Sequence, residues 1–334
     1  MNDKLKNNKY LKPIISAGDF FFRGPDEVTT GAPHVVDHMD IKRYMSMVII
    51  ALMPSTIAAI YYYGFRALAI ILVSYIAGGM VEVGFAIFKG DEIHEGFLVT
   101  GLIFPLVLPP TIPLWIVAVG SIFGVLFGKE VFGGTGRNIF NPALVGRLFI
   151  TISFPAYMSS MWQDPITDAI TSATPLTYLK AGEALPYSIM DLLMGSAPGS
   201  MGEIFRIGII IGGIFLLVTK VSNWRIPVAY LGTVFVLTSI GQFIFPGQVS
   251  GPVLSLLTGG LLFGAFFMAT DPVSSPYTPT GKIIYGFGLG FFTVLIRSFS
   301  GYTEGVMFSI ILMNAFGPLI DTFIVQKKYK PIEE

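Results

Sequence analysis

Cysteine is absent from the 334 residues, and histidine occurs three times, as His34, His38 and His94. Thiolate-held iron–sulfur clusters and zinc sites are therefore excluded on this chain, and a haem clamped by histidines of facing transmembrane helices has no ligands to use. Any redox group here must be organic. Charge is also scarce: 13% of residues are Asp, Glu, Lys or Arg, and the formal net charge is zero. The basic residues sit in short loops and tails and form no basic face, so nucleic acid is not an expected partner. No signal peptide is read at the start either, because Met1–Tyr10 is polar and lysine-rich with no apolar core or small-residue cleavage site. Insertion is expected to rely on the first transmembrane helix.

What is abundant is hydrocarbon. With 53% hydrophobic residues and a mean hydropathy of +0.70, a soluble domain of this size would leave large apolar patches in water. The composition predicts an all-α polytopic membrane protein. A hydrocarbon core of ~30 Å asks for apolar spans of roughly 17–25 residues, and ten are read, some of them short: 44–64, 67–88, 96–109, 112–128, 139–158, 204–219, 226–245, 253–270, 282–297 and 305–325.

An even number of spans puts both termini on one side. Lys89, Lys129, Arg137, Lys220, Arg225, Lys282, Lys327, Lys328 and Lys330 share that side with the basic N-terminal arm, and basic residues near span ends are retained in the cytoplasm. Only Arg66, Lys180, Arg206 and Arg297 fall outside or at the outer edge. The expected organisation is a cytoplasmic arm 1–43, a first five-helix repeat 44–158, an outer-face loop 159–203, a second repeat 204–325 and a cytoplasmic tail 326–334. Within the arm, Ile14 to Phe22 is expected at the membrane interface or packed under the helices. The loop is expected to pack as a lid over the helix ends.

Two spans are broken. The third carries Pro105 in its interior, and the eighth runs out at Asp271-Pro272; Thr100-Gly101 and Thr258-Gly259 take similar places in the two halves. Five crossings per half would make the second half run upside down relative to the first, the inverted-repeat plan of many transporters, with broken half-helices.

Three polar features stand out. Asp168-Ala-Ile-Thr-Ser-Ala-Thr-Pro-Leu-Thr177 is a polar island of small residues, with room for a bulky group at Thr174. Gly133-Gly-Thr-Gly-Arg-Asn-Ile-Phe-Asn-Pro142 is either a glycine-rich turn ending in an asparagine helix cap, or a turn whose N–H groups, with the amides of Asn138 and Asn141 on one face of the entry to span five, meet the edge of a flavin or quinone ring. Glu82, Arg147 and Asp321 lie within spans, where charge is costly and usually faces a cavity or another charge. The bland alternatives are a Glu82–Arg147 ion pair and an Asp321 close enough to the cytoplasmic end to be solvated.

The runs Gly31–Arg43, His94–Thr100, Gly128–Arg147, Ser172–Leu176, Phe267–Val273 and Pro318–Asp321 resemble one family over nearly the whole chain. It is the family shared by the B subunits of sodium-translocating NADH:quinone oxidoreductases and the D subunits of the related Rnf ferredoxin:NAD oxidoreductase complexes. The resemblance implies a multi-pass subunit of the bacterial inner membrane that works with other subunits, quinone and sodium ion. It implies FMN joined through its phosphate to Thr174 by a flavin transferase, with Asp168, Thr171 and Ser172 completing the recognised motif; glycine is usual where Ser172 stands. It further implies a non-covalent riboflavin near Asn138 and Asn141, and a sodium path using Glu82 and Asp321. A cofactor-free ten-helix solute channel or carrier is the alternative of another class.

Overall fold

The computed structural model describes residues 41–89, 96–167, 169–171 and 173–328. The N-terminal arm up to residue 40, with its Ile14–Phe22 segment, lies outside the described residues, as do the three histidines, Asp168, Ser172 and residues 329–334.

The chain is helical nearly throughout: α1 (Ile41–Lys89), α2 (Gly96–Leu106), α3 (Leu114–Gly128), α4 (Pro142–Ser153), α5 (Pro155–Ser159), α6 (Pro175–Ala181), α7 (Ile189–Met194), α8 (Arg206–Val218), α9 (Arg225–Ile244), α10 (Pro252–Leu257), α11 (Leu261–Phe263) with a π turn over Gly264–Met268, α12 (Pro279–Phe299) and α13 (Val306–Lys328). The expected all-helix chain has one exception among the described residues. It is a two-stranded antiparallel ladder, β1 (Trp162–Gln163) and β2 (Ile170–Thr171), in which Trp162 faces Thr171.

Five described helices are long and apolar enough to cross a membrane: α1, α3 with the 3₁₀ turn that follows it, α9, α12 and α13. The apolar helices α2, α4 and α8 are shorter. At 1.5 Å per residue the 11 residues of α2 reach only about 16 Å. The first two sequence spans form one element, α1, but Gly64 at φ 60°, ψ −145° divides it into two helices. A side chain at Gly64 would be strained there whatever the space, since L-residues rarely enter this region.

Lipid-sized faces remain on the outside of the bundle, with Ile50, Ile57, Phe65, Ile76 and Phe88 of α1 exposed. Inside, helices approach over small residues. A Cβ on Gly124 would come 2.6 Å from the Pro142 carbonyl oxygen and 3.0 Å from the Gly146 Cα, so α3 and α4 are in backbone contact, as glycine permits where lipid supplies no hydrophobic driving force.

The segment 159–203 departs from the expected lid. Its first part carries the ladder, α6 and α7, but Ala197–Ser200 and Met201–Ile204 are buried. The Met201 N–H donates to the Leu108 carbonyl at 3.2 Å and the Gly202 N–H to that of Leu106 at 2.6 Å. The loop therefore re-enters the bundle and supplies donors to carbonyls left open where α2 stops, the accounting an apolar setting demands.

The broken spans are held by arginines at this same end. Arg66 donates to the carbonyls of Pro110 (3.1 Å) and Ile112 (2.9 Å) beyond α2. Arg297 donates to those of Ser255 (2.8 Å) and Thr258 (3.1 Å) at the end of α10, while Glu304 accepts from the Gly260 N–H (2.8 Å) and from Arg297 Nη2 (2.9 Å). Thr258-Gly259 is the break itself, with Gly259 at φ 66°, whereas Thr100-Gly101 lies inside α2. The two Thr-Gly pairs thus differ in local conformation. Arg206 and Lys180 likewise donate to carbonyls, of Leu192 and Ile204 and of Ser300 and Tyr302. All four cations that stood against the charge asymmetry are engaged in satisfying backbone.

Arg297→Met is expected to cost about 3 kcal/mol, because it leaves the partly buried Glu304 carboxylate without its cation and two helix-end carbonyls without a donor. Adding Glu304→Gln should restore part of that loss. Thermal unfolding in detergent reads both, and a single variant as stable as the parent would refute the clamp.

Candidate functional site

Glycine conformation builds the site. After α3, Gly133, Gly134 and Gly136 all take positive φ (114°, 97° and 88°), folding the chain back so that Asn138 and Asn141 reach the bundle interior. Asn141 is the cap of α4: its side chain accepts the Ala143 N–H at 3.1 Å, with Pro142 at the first helical position. Span five therefore begins at 142, not 139. The two asparagines do not share a helical face, because Asn138 lies in the turn and donates to the Phe140 carbonyl at 3.0 Å. They are nevertheless brought together, since both line one cavity.

That cavity measures about 710 Å³ with its open mouth. Its walls come from the start of α1 (Tyr44), the start of α2 (Gly96, Thr100), the glycine-rich turn, the end of α8 and the stretch after α11 (Thr270, Asp271). Its chemistry is incomplete. Thr135 Oγ1 and Ser222 Oγ are buried without a hydrogen-bond partner among the described residues, and both residues line the cavity. The bonds named above leave the Asn138 carbonyl oxygen and the Asn141 amide N–H groups unused. A buried polar atom without a partner costs about 1–3 kcal/mol, so this cluster of hydroxyls and amides is what a polar ring edge or a polyol chain would satisfy.

Glu82 does not pair with Arg147. It is 6% exposed and accepts from Lys129 Nζ at 2.6 Å, itself 3% exposed. Lys129, assigned from the sequence to the side of the N-terminal arm, is buried and lines the cavity. Arg147 is directed to the other break: a Cβ on Gly260 would meet Glu203 Oε2 at 3.4 Å and Arg147 Nη1 at 4.0 Å.

Asp321 is 4% exposed rather than solvated. It accepts the backbone N–H groups of Tyr277 (2.7 Å) and Thr278 (3.1 Å) and the Thr278 hydroxyl, which anchors the start of α12. It lies in an unbroken stretch of α13, which runs through Pro318. Among the described residues no group of three or more His, Cys, Asp or Glu is placed to hold a metal ion.

Thr174 is half-buried and caps α6. Its hydroxyl lies 3.1 Å from that of Thr177, and the backbone N–H groups of Thr174 and Thr177 each face the other's hydroxyl at 3.4 Å. Leu176 and Lys180 of the same helix line a second cavity of about 420 Å³, together with Thr258 and Arg297. Thr171 belongs to β2.

Sequence reasoning missed Lys129, Thr135, Ser222 and the buried Glu203, which accepts from the Ser200 hydroxyl at 2.7 Å. The one signal available for Lys129 was its position directly between an apolar span and the glycine-rich run.

Broken spans, buried ion pairs and a polar cavity at one end of an apolar bundle define a multi-pass membrane protein. The chain belongs to the NQR2, RnfD, RnfE family, whose model matches residues 28–330. It is 36% identical to the B subunit of the Na(+)-translocating NADH-quinone reductase of Pseudomonas paraeruginosa, over 97% of this chain and 94% of that one. It is 36% identical to the protein of the same name from Chromohalobacter salexigens (97% and 92%) and 37% identical to that of Ectopseudomonas mendocina (98% and 96%). The resemblance read from the sequence motifs is thereby borne out.

Proposed function

We propose that this chain is the flavin-bearing membrane subunit of a sodium-translocating NADH:quinone oxidoreductase. The observation that carries the reading is the end-to-end match to relatives named as the B subunit of such a reductase.

In this reading FMN is linked through its phosphate to Thr174 by a flavin transferase that recognises the Asp168–Thr174 segment, and riboflavin occupies the cavity at Asn138 and Asn141. A bound flavin accepts and passes on electrons, and the protein supplies position and electrostatics. Thr174 fits an attachment role because its oxygen stands at the start of a short helix whose Leu176 and Lys180 line a cavity. The unpartnered Thr135 and Ser222 hydroxyls and the unused amide groups fit a polar, uncharged ligand. Asn141 orients such a ligand from a rigid helix start, and Thr135 and Ser222 offer it hydrogen bonds away from water.

The ten-crossing plan is also part of this proposal. The kinked α1 supplies two crossings; α2, α3, α4, α8, α9, the α10–α11 pair, α12 and α13 supply the rest. A short or broken third element in each half supports inverted repeats. The cavity end then faces the cytoplasm of a bacterial inner membrane and Thr174 the outside, so electrons passing between the two flavins cross the bilayer. A sodium ion moving through the same protein, with Glu82 and Asp321 near its path, would compensate that charge at about 2.3 kcal/mol per 100 mV.

Mass spectrometry of the intact chain from its own cell tests the reading, with one added flavin mononucleotide expected. An unmodified chain leaves the channel or carrier alternative. Proteins co-purifying with it separate the quinone-linked complex from the Rnf complex, because the two carry different soluble partners.

A further inference from the structure

Lys129 is the feature the proposed function leaves unused. Its ammonium carries three N–H donors, yet among the described residues one acceptor faces it, Glu82 Oε1 at 2.6 Å. The pair is dry, at 3% and 5% side-chain exposure, and it is asymmetric: Lys129 lines the cavity with Asn138 and Asn141, whereas Glu82 does not. The one carboxylate among the described wall residues, Asp271, is turned to its own segment, accepting from the Val273 N–H (3.2 Å) and the Ser274 hydroxyl (3.0 Å). Among the described residues the pair thus leaves two N–H groups of the ammonium without an acceptor, on a residue of the cavity wall.

We propose that Lys129 is the electrostatic determinant of this cavity, a contact that favours the reduced form of the ring bound there, and that Glu82 is the residue that positions it. The inference rests on the reading of the cavity as a flavin site. A flavin ring that takes two electrons and one proton gains one negative charge, the electrons coming from the reduced-nicotinamide side of the proposed reaction. A cation fixed in a low-dielectric wall lowers the energy of that charge, where the same cation in water would be screened. Glu82 keeps a buried ammonium charged and still. A buried ion pair is by itself weak evidence of stabilisation, so its place at the wall of a ligand-sized cavity argues for use beyond folding.

The test uses the assembled complex carrying Lys129→Met with Glu82→Gln. Removing both charges avoids leaving one ion buried and unpaired, the change that most endangers folding. Lys129→Arg is the conservative control. Non-covalent flavin content is measured by acid extraction, and its midpoint potential by spectroelectrochemistry. The double variant is expected to retain the flavin but to lose about tenfold in preference for the reduced over the oxidised ring, about 30 mV downward for a two-electron couple. Lys129→Arg is expected to keep most of the parent potential. An unchanged potential in the double variant, an equal shift in both variants, or loss of flavin from both overturns the proposal. Absence of non-covalent flavin from the parent complex overturns the flavin reading itself, which is a separate result.

Discussion

Thr174→Val is expected to abolish the flavin fluorescence of this chain on a denaturing gel, from full signal to background. A phosphoester needs the hydroxyl oxygen, and valine keeps the shape of threonine without it. The substitution also removes the cap of α6, where the Thr174 hydroxyl and the Thr177 backbone face each other. Losing such a cap costs about 1 kcal/mol, and it falls on a seven-residue helix outside the bundle core. The chain should therefore still insert and assemble. Thr174→Ser keeps the oxygen and the cap and separates the two effects. A fluorescent band in Thr174→Val, or a dark band in the parent matured with the flavin transferase, would end the redox reading.

The second large effect is expected at Asn141. Asn141→Leu should lower the non-covalent flavin recovered by acid extraction about thirtyfold while leaving the Thr174-linked signal intact, since a lost pair of hydrogen bonds at about 1 kcal/mol each corresponds to a factor of that order. Leucine also removes the cap on α4 that Asn141 provides to Ala143. Asn141→Asp resolves the ambiguity: aspartate caps a helix as well as asparagine does but has no N–H to donate to a ring or polyol. Asn141→Asp is thus expected to match the parent in thermal stability and Asn141→Leu in flavin loss. Normal flavin content in both variants would remove Asn141 from the site.

Glu82 and Asp321 show how far single-residue reasoning carries. Both were legible as charges at costly depth, because hydropathy places them inside apolar runs. Their partners were not, because a buried carboxylate takes whichever donor the packing delivers. For Glu82 that donor is Lys129, 47 positions away, rather than Arg147. For Asp321 it is the start of α12, 43 and 44 positions away. Asn138 and Asn141 were expected on one helical face, which Pro142 and the three positive-φ glycines do not allow, and the fold instead brings both to the wall of one cavity. Gly64 is the converse case: the spans 44–64 and 67–88 part directly after it in the sequence, and its φ of 60° turns that parting into a kink within one 49-residue element.

Composition and motif alone determined that the chain lives in a membrane, that it offers no thiolate to a metal or cluster, and which family it resembles. These properties are sums or local patterns, and a sum of transfer free energies along a segment does not depend on what the segment packs against. Which cation pairs with which acid was decided only when the helices came together. The re-entry of the 159–203 segment and the ringing of one cavity by unpartnered hydroxyls were decided there too. Inside an apolar bundle every hydrogen-bonding group and every charge has to be answered by a group from elsewhere in the chain, and that answer is written in three-dimensional proximity.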